Sequence, residues 1–266
     1  MTSQTSQKKQ STLVMKFGGT SVGTSEAMGQ AAQIVVDARR DWPRLVVVAS
    51  ALTGVTNLLL DSGSQAARGA LGSLYPAEGQ LREWHYAMAD ALVNDAARCV
   101  QVKQDIEALI GSFLSLCQAI AVLGEATPRA LDAVAGLGER MSVRLLAAAL
   151  EVRGVAAQFV EATQLIVTDS HFQAAHPDFN ATTRQTRQVL DPILDQGRVA
   201  VVTGFIAANP EGVITTLGRG GSDYSAAILG AVLPSDEVWI WSGNSRLQSA
   251  ANHDAHWAVC FMVSSE

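Results

Sequence analysis

The sequence predicts an α/β protein with a mostly parallel central sheet covered by helices on both faces. Short, almost wholly apolar runs such as "RLVVVAS" (44–50) and "RVAVVTGFI" (198–206) read as strands buried on both sides, as parallel strands are. Longer stretches with helical spacing separate them, and strands alternating with helices assemble into parallel sheets. The polar motifs fall at the carboxyl ends of these strands, where such sheets bind ligands. They are Lys16 with Gly18 and Gly19, Ser50, Gly204–Phe205, and Arg219–Asp223.

Taken in order, Leu13–Phe17 reads as a strand, and Ser25–Arg40 as a helix with Ala27, Ala31, Ile34 and Val35 on one face. The strand at 44–50 follows. Residues 78–123 read as helical throughout, an inserted pair of helices. "ERMSVRLLAAALEVRG" is an amphipathic helix stopped by Gly154. "AAQFVEA" and "LIVTD" read as strands, and Thr182–Gln196 as a helix that Pro192 kinks or breaks. The strand at 198–206 precedes "GVITTLGRGGSDYSAAILGAVL", which runs from a strand through a glycine-rich turn into a helix. "EVWIW" is one more strand. No internal repeat is present.

A chain of 266 residues is enough for one large α/β domain or two small ones. Apolar residues at 48% and charged residues at 17% mark a folded composition. A net charge of −6 without a basic stripe speaks against a nucleic-acid partner. No apolar run approaches the roughly 18 residues of a membrane helix, so no membrane partner is expected. The start, "MTSQTSQKKQST", lacks the apolar core of a secretory signal and reads as a flexible leader over residues 1–12. Cys99, Cys117 and Cys260 are odd in number and far apart, which argues against a disulfide framework and for the cytoplasm.

Four motifs carry candidate chemistry. In "VMKFGGTSVG" (14–23) a lysine ends a buried strand ahead of two glycines. Glycine lets backbone N–H groups approach a ligand, and Thr20 and Ser21 can cap a helix, so the segment reads as a phosphate cradle or as a lysine beside a tight turn. In "VVVASALTGVTN" (46–57), Ser50, Thr53, Thr56 and Asn57 lie at a helix start, suited to an anion or to plain capping. In "GLGERMS" (136–142), Glu139 is either a first-turn glutamate favoured by the helix dipole or the partner of a substrate ammonium. In "TTLGRGGSDYSAA" (215–227), Arg219 between glycines can fork onto a carboxylate, Gly220 and Gly221 bring backbone donors close, and Ser222 and Asp223 open a helix. Asp223 beside a phosphate needs Lys16 or a magnesium ion as partner. His253, His256 and Cys260 imitate a metal spacing without a fourth ligand, so no metal site is expected there. His85, His171 and His176 are placed on surfaces or helix ends, with Trp84, Tyr86 and Met88 as packing residues.

The four motifs stand in the order seen in aspartokinases, and residues 13–241 resemble the catalytic domain of that family. The resemblance implies the amino-acid-kinase fold, a three-layer α/β/α sandwich around a mainly parallel sheet. It implies ATP-dependent phosphorylation of the β-carboxylate of L-aspartate, the first step toward lysine, threonine and methionine, with Mg2+. It also implies a homo-oligomer in the intact family. Carried over by motif, Lys16 and Asp223 are catalytic. Lys16, Phe17, Gly18 and Gly19 bind ATP. Ser50, Thr56, Glu139, Arg219, Gly220, Gly221 and Ser222 bind aspartate, with Glu139 taking the ammonium and Arg219 a carboxylate. After "WIW" the chain departs from the family's Thr-Asp-Val-Asp-Gly-Val-Tyr-Thr-Ala-Asp-Pro-Arg. Ser242, Gly243, Gln248 and His253 replace the threonine, first aspartate, tyrosine and arginine, while Ser249 and Ala250 fit. Residues 242–266 are therefore expected to form an atypical tail on a domain incomplete at its C-terminus, without ACT modules. The alternative reading is a catalytically impaired remnant that binds aspartate but not ATP.

Overall fold

A computed structural model describes the chain over residues 11–242, with the backbone of 245–250 in addition. The leader through residue 10, and His253, His256 and Cys260, lie outside the described residues. The expected sheet is present. Strands β1 (Thr12–Phe17), β2 (Arg44–Ala49), β3 (Ala157–Val160), β4 (Val199–Thr203) and β7 (Glu237–Ser242) are all parallel, and β8 (Ser245–Ala250) closes the edge antiparallel to β7. The spatial order is β3-β4-β2-β1-β7-β8, which puts β1 between β2 and β7. β1 opens one residue before the expected boundary, because the Thr12 N–H donates to Asp236 Oδ2 at 2.8 Å.

The two-residue period of a strand divides the core into two layers. Leu13, Met15 and Phe17 of β1, with Leu45 and Val47 of β2, face α2 (Ser25–Ala38), α3 (Val55–Ala67), α4 (Leu74–Leu92), α5 (Ala96–Leu123), α6 (Pro128–Ala135) and α7 (Leu137–Glu151). Val14, Val46 and Val48 face α8 (Phe179–Asp195) and α9 (Gly221–Val232). This is the three-layer sandwich. Lys16 shares parity with Val14 and so leaves the sheet on the α9 side.

Local differences from the sequence reading have plain causes. "LIVTD" is not a strand. A 3-10 turn at Ala162–Gln164 redirects the chain, and Val167 and Thr168 make only isolated bridges to Ala208 and Pro177. "RVAVVTGFI" breaks at Gly204–Phe205, with Phe205 left-handed (φ 66°), so β5 (Ile206–Ala208) leaves the sheet to pair with β6 (Ile214–Thr216). A side chain at Gly204 would meet Ser222 Oγ at 2.6 Å, so only glycine permits that close approach. α8 runs one turn beyond Pro192 instead of breaking there, and it starts early because Asp178 caps it. Thr20 and Ser21 do not occupy an N-cap position, which at α1 (Gly19–Val22) is Gly18. They lie within that helix, and Thr24 caps α2 by accepting from the Ala27 N–H.

α4 and α5 form the expected helical pair. α5 is long and apolar enough to cross a membrane by length and composition, contrary to the reading that no segment approaches that threshold. Here Val102, Ile106, Ile110, Phe113 and Cys117 repeat every three or four residues and seat it in the bundle core. His85 is also placed against expectation. It is fully buried on α4, in register with Leu81, Met88 and Leu92, and its Nδ1 lies 2.7 Å from the Leu81 carbonyl.

Candidate active site

A cavity of about 790 Å³ opens at the carboxyl ends of β1 and β2. The first turns of α3, α7 and α9 all reach it, so three helix N-termini turn their positive poles toward it. α7 comes from one helical layer and α9 from the other.

The lysine end is built by β1 and α9. Lys16, 6% exposed, extends to Asp223, whose Oδ1 lies 2.7 Å from Nζ. Asp223 is the third residue of α9, a position its charge favours. Gly18 crosses beneath the lysine amine so closely that a Cβ there would sit 3.0 Å from Nζ. Thr53 ties the two polar loops together by donating its hydroxyl to the Gly19 carbonyl at 2.9 Å, while Gly54, left-handed at φ 85°, starts α3 without a side-chain cap. The neutral capping role considered for Ser50 and Thr53 is therefore filled by neither. Arg219 stands exposed between Gly218 and Gly220, both left-handed (φ 76° and 75°). It has no hydrogen-bond or ion-pair partner among the described residues.

The glutamate end is built by α7. Glu139 is only 3% exposed, yet it lines the cavity. Its Oε1 accepts from the Ala51 N–H at 3.3 Å, and its Oε2 is buried without a partner among the described residues. Burial pushes its carboxyl up to about 7, against the pull of the backbone N–H groups of Glu139 itself and of Ala51. Gly138 permits this placement, since a Cβ there would meet Ala51 at 2.8 Å.

The cavity thus gathers Lys16, Gly18, Gly19, Ser50, Thr56 and Glu139 from the first three motifs, and Arg219, Gly220, Gly221, Ser222 and Asp223 from the fourth. Phe17 is the exception. Its odd parity buries it in the opposite layer, stacked on Trp241 at 4.9 Å between ring centroids, and its side chain lines a separate cleft of about 100 Å³. Sequence reasoning missed Asp132. It lies on the inner face of α6 and also lines the cavity. The signal available for it was an acid at a position of "PRALDAVAG" that helical spacing puts on one face with Ala135. Among the described residues no group of three or more histidine, cysteine, aspartate or glutamate side chains is assembled to hold a metal unaided. Asp223, with its side chain 51% exposed at the cavity, fits an ion that keeps most of its ligands from water and phosphate.

A model of the amino acid kinase family matches residues 11–253, past the departure from the aspartokinase motif after Trp241. The lysine-sensitive aspartokinase 3 of Escherichia coli is 34% identical over 86% of this chain and 48% of its own length. The aspartokinase of Chlamydia muridarum is 31% identical over 88% of this chain and 48% of its own length. The crystal structure of E. coli aspartokinase III in complex with aspartate and ADP superimposes with a TM-score of 0.75 at 33% identity, covering 86% of this chain and 48% of that one. The chain spans about half the length of these relatives.

Proposed function

The chain belongs to the amino acid kinase family, and on that premise we propose that it transfers the γ-phosphoryl group of ATP to the β-carboxylate of L-aspartate, giving 4-phospho-L-aspartate and ADP, the step that opens lysine, threonine and methionine synthesis. One observation carries the reading: a single cavity holds an aimed lysine at one end and an uncompleted buried carboxylate at the other. The aspartate and ADP named with the E. coli relative's structure agree with it.

In this reading Glu139 Oε2 receives the substrate ammonium, which supplies the charge that burial denies it. Arg219 takes the α-carboxylate as a bidentate fork. The β-carboxylate is then left as the nucleophile. It is ionised at neutral pH, so no general base is required. One of its oxygens bonds to the γ-phosphorus as the bond to the β–γ bridging oxygen breaks, and ADP leaves with that electron pair. The chain's part is positioning and charge neutralisation, as phosphoryl transfer demands. Lys16, held by Asp223, follows the transferring group, and the backbone of Gly18 and Gly19 cradles the phosphates. Mg2+ would arrive on the nucleotide with Asp223 as its protein carboxylate, and would supply neutralisation of phosphate charge.

The test is aspartate-dependent ADP release with hydroxylamine trapping of the acyl phosphate, alongside calorimetric titration with aspartate and with Mg-ATP. Hydroxamate formation together with binding of both ligands supports the reading. Aspartate binding without nucleotide binding, or neither, overturns it.

A further inference from the structure

Two buried carboxylates line the cavity, and they are used differently. Glu139 keeps an oxygen without a partner among the described residues, whereas Asp132, 2% exposed, has both oxygens engaged by the protein itself. Asp132 Oδ2 accepts from the N–H of Gln173 at 2.9 Å and of Thr216 at 3.0 Å, and Oδ1 accepts from the Thr216 hydroxyl at 2.8 Å. A carboxylate with three protein donors on its two oxygens is committed mainly to the fold, where Glu139 has an oxygen left for a substrate ammonium. What it does is join three segments distant in sequence: α6, the loop around Gln173, and the end of β6.

The loop it grips is strained. Gln173 is left-handed at φ 71°, a conformation costly for a residue with a side chain, and its N–H is turned onto Asp132. The loop also pairs with β6, the Ala175 N–H donating to the Thr216 carbonyl at 2.9 Å. It abuts the next turn as well: a Cβ at Gly218 would lie 3.1 Å from the Gln173 carbonyl oxygen. Arg219 follows directly. The chain from Thr216 to Arg219 is thus fixed at its base by Asp132 and backed by a loop that Asp132 also holds, while the Arg219 side chain is exposed.

We propose that Asp132 is a positioning residue for the acceptor site, clamping the Gln173 loop to the end of β6 and thereby setting the turn that aims Arg219 at the substrate carboxylate. The role in aspartate binding rests on the proposed function; the clamp does not. Both are tested with Asp132→Ala, Asp132→Asn and Thr216→Val. Calorimetry gives Kd for aspartate and for Mg-ATP separately. Limited trypsin digestion gives the rate of cleavage after Arg219, which needs no substrate.

The expected result is a Kd for aspartate raised about tenfold or more in Asp132→Ala, with the nucleotide Kd within about twofold. Asp132→Asn, which keeps an oxygen for the two N–H groups, restores most of the affinity. Thr216→Val, which loses one of the three bonds, falls between, and cleavage after Arg219 quickens in the same order. Equal weakening of both ligands would reduce Asp132 to a general structural residue and overturn the proposal. So would an asparagine variant as poor as alanine, which would point to direct charge contact with substrate, or unchanged aspartate affinity and cleavage in all variants. Should Asp132→Ala fail to fold, the other two variants carry the same decision. Should the wild-type chain not bind aspartate, the functional reading fails, and the cleavage rates alone decide the clamp.

Discussion

The two ends of the cavity are built on opposite electrostatic terms. At the lysine end the charges are paired within the chain, Lys16 on Asp223 at 2.7 Å, and glycine backbone packs beneath the amine. At the glutamate end a carboxylate is taken out of water, given one long bond from the Ala51 N–H, and left incomplete, with its carboxyl pushed up to about 7. On the proposed reading, the charge that must be aimed is held by a partner, and the charge that must recognise is left for the ligand to complete. Buried charge without a partner costs several kcal/mol in general, so an arrangement of this kind persists where something outside the chain repays it.

The sharpest way to break the comparison is Lys16→Met. It removes the aimed charge and leaves Asp223 facing the phosphates unopposed. Phosphoryl transfer should fall by about 10³ in kcat, the size of losing one well-placed transition-state contact. Aspartate affinity should stay within about threefold, because the glutamate end is untouched. Steady-state kinetics with calorimetric aspartate titration separates the two. A large loss of aspartate affinity would mean that the ends are not independent.

Glu139→Gln should do the reverse. Aspartate binding falls about 100-fold, in the range for truncating a buried charge pair, while nucleotide binding is kept. The pH dependence sharpens this. In the empty site Glu139 is protonated below about 7, so aspartate affinity should climb with pH through that value and then level, and the glutamine variant should be flat. Stability moves the other way. The folded carboxyl holds its proton up to about 7, against an ordinary value of 4.5, so its contribution is fully present below 4.5 and is lost as pH rises through 7. Glu139→Gln should therefore be the more stable chain at pH 8, by on the order of 3 kcal/mol, read from urea unfolding without ligand.

Much of this contrast was legible in the sequence. The continuous apolar runs named the central strands, and the glycines that follow Lys16 and flank Arg219 marked turns whose backbone must come close to something. What escaped did so for identifiable reasons. Asp132 gains its meaning from Gln173 and Thr216, 41 and 84 residues away, and no local pattern announces such a contact. "LIVTD" looked like a strand because an apolar run records burial and not pairing. Phe17 could have been excluded from the cavity by parity alone, since Leu13, Met15 and Phe17 fall on one face and Val14 and Lys16 on the other. His85 could likewise have been placed inside, because Leu81, His85, Met88 and Leu92 repeat on one helical face.

His85 is the mildest test, because it asks whether an incomplete buried polar group far from the cavity behaves as Glu139 does. Its Nε2 is buried without a partner among the described residues, and burial lowers its pKa from 6.5 to about 4, opposed by the bond to the Leu81 carbonyl. The ring is therefore neutral in the folded chain at pH 7. Its contribution to stability is fully present above 6.5 and is lost as pH falls through 4, the opposite sign to Glu139. His85→Leu should remove about 2 kcal/mol of the decline in stability between pH 7.5 and pH 5, measured by urea unfolding at both values. It should leave the affinities for aspartate and nucleotide unchanged, since no ligand completes this group. A shift in aspartate affinity would mean that the α4–α5 bundle is coupled to the site and that the distinction between a recognising charge and a merely buried one does not hold.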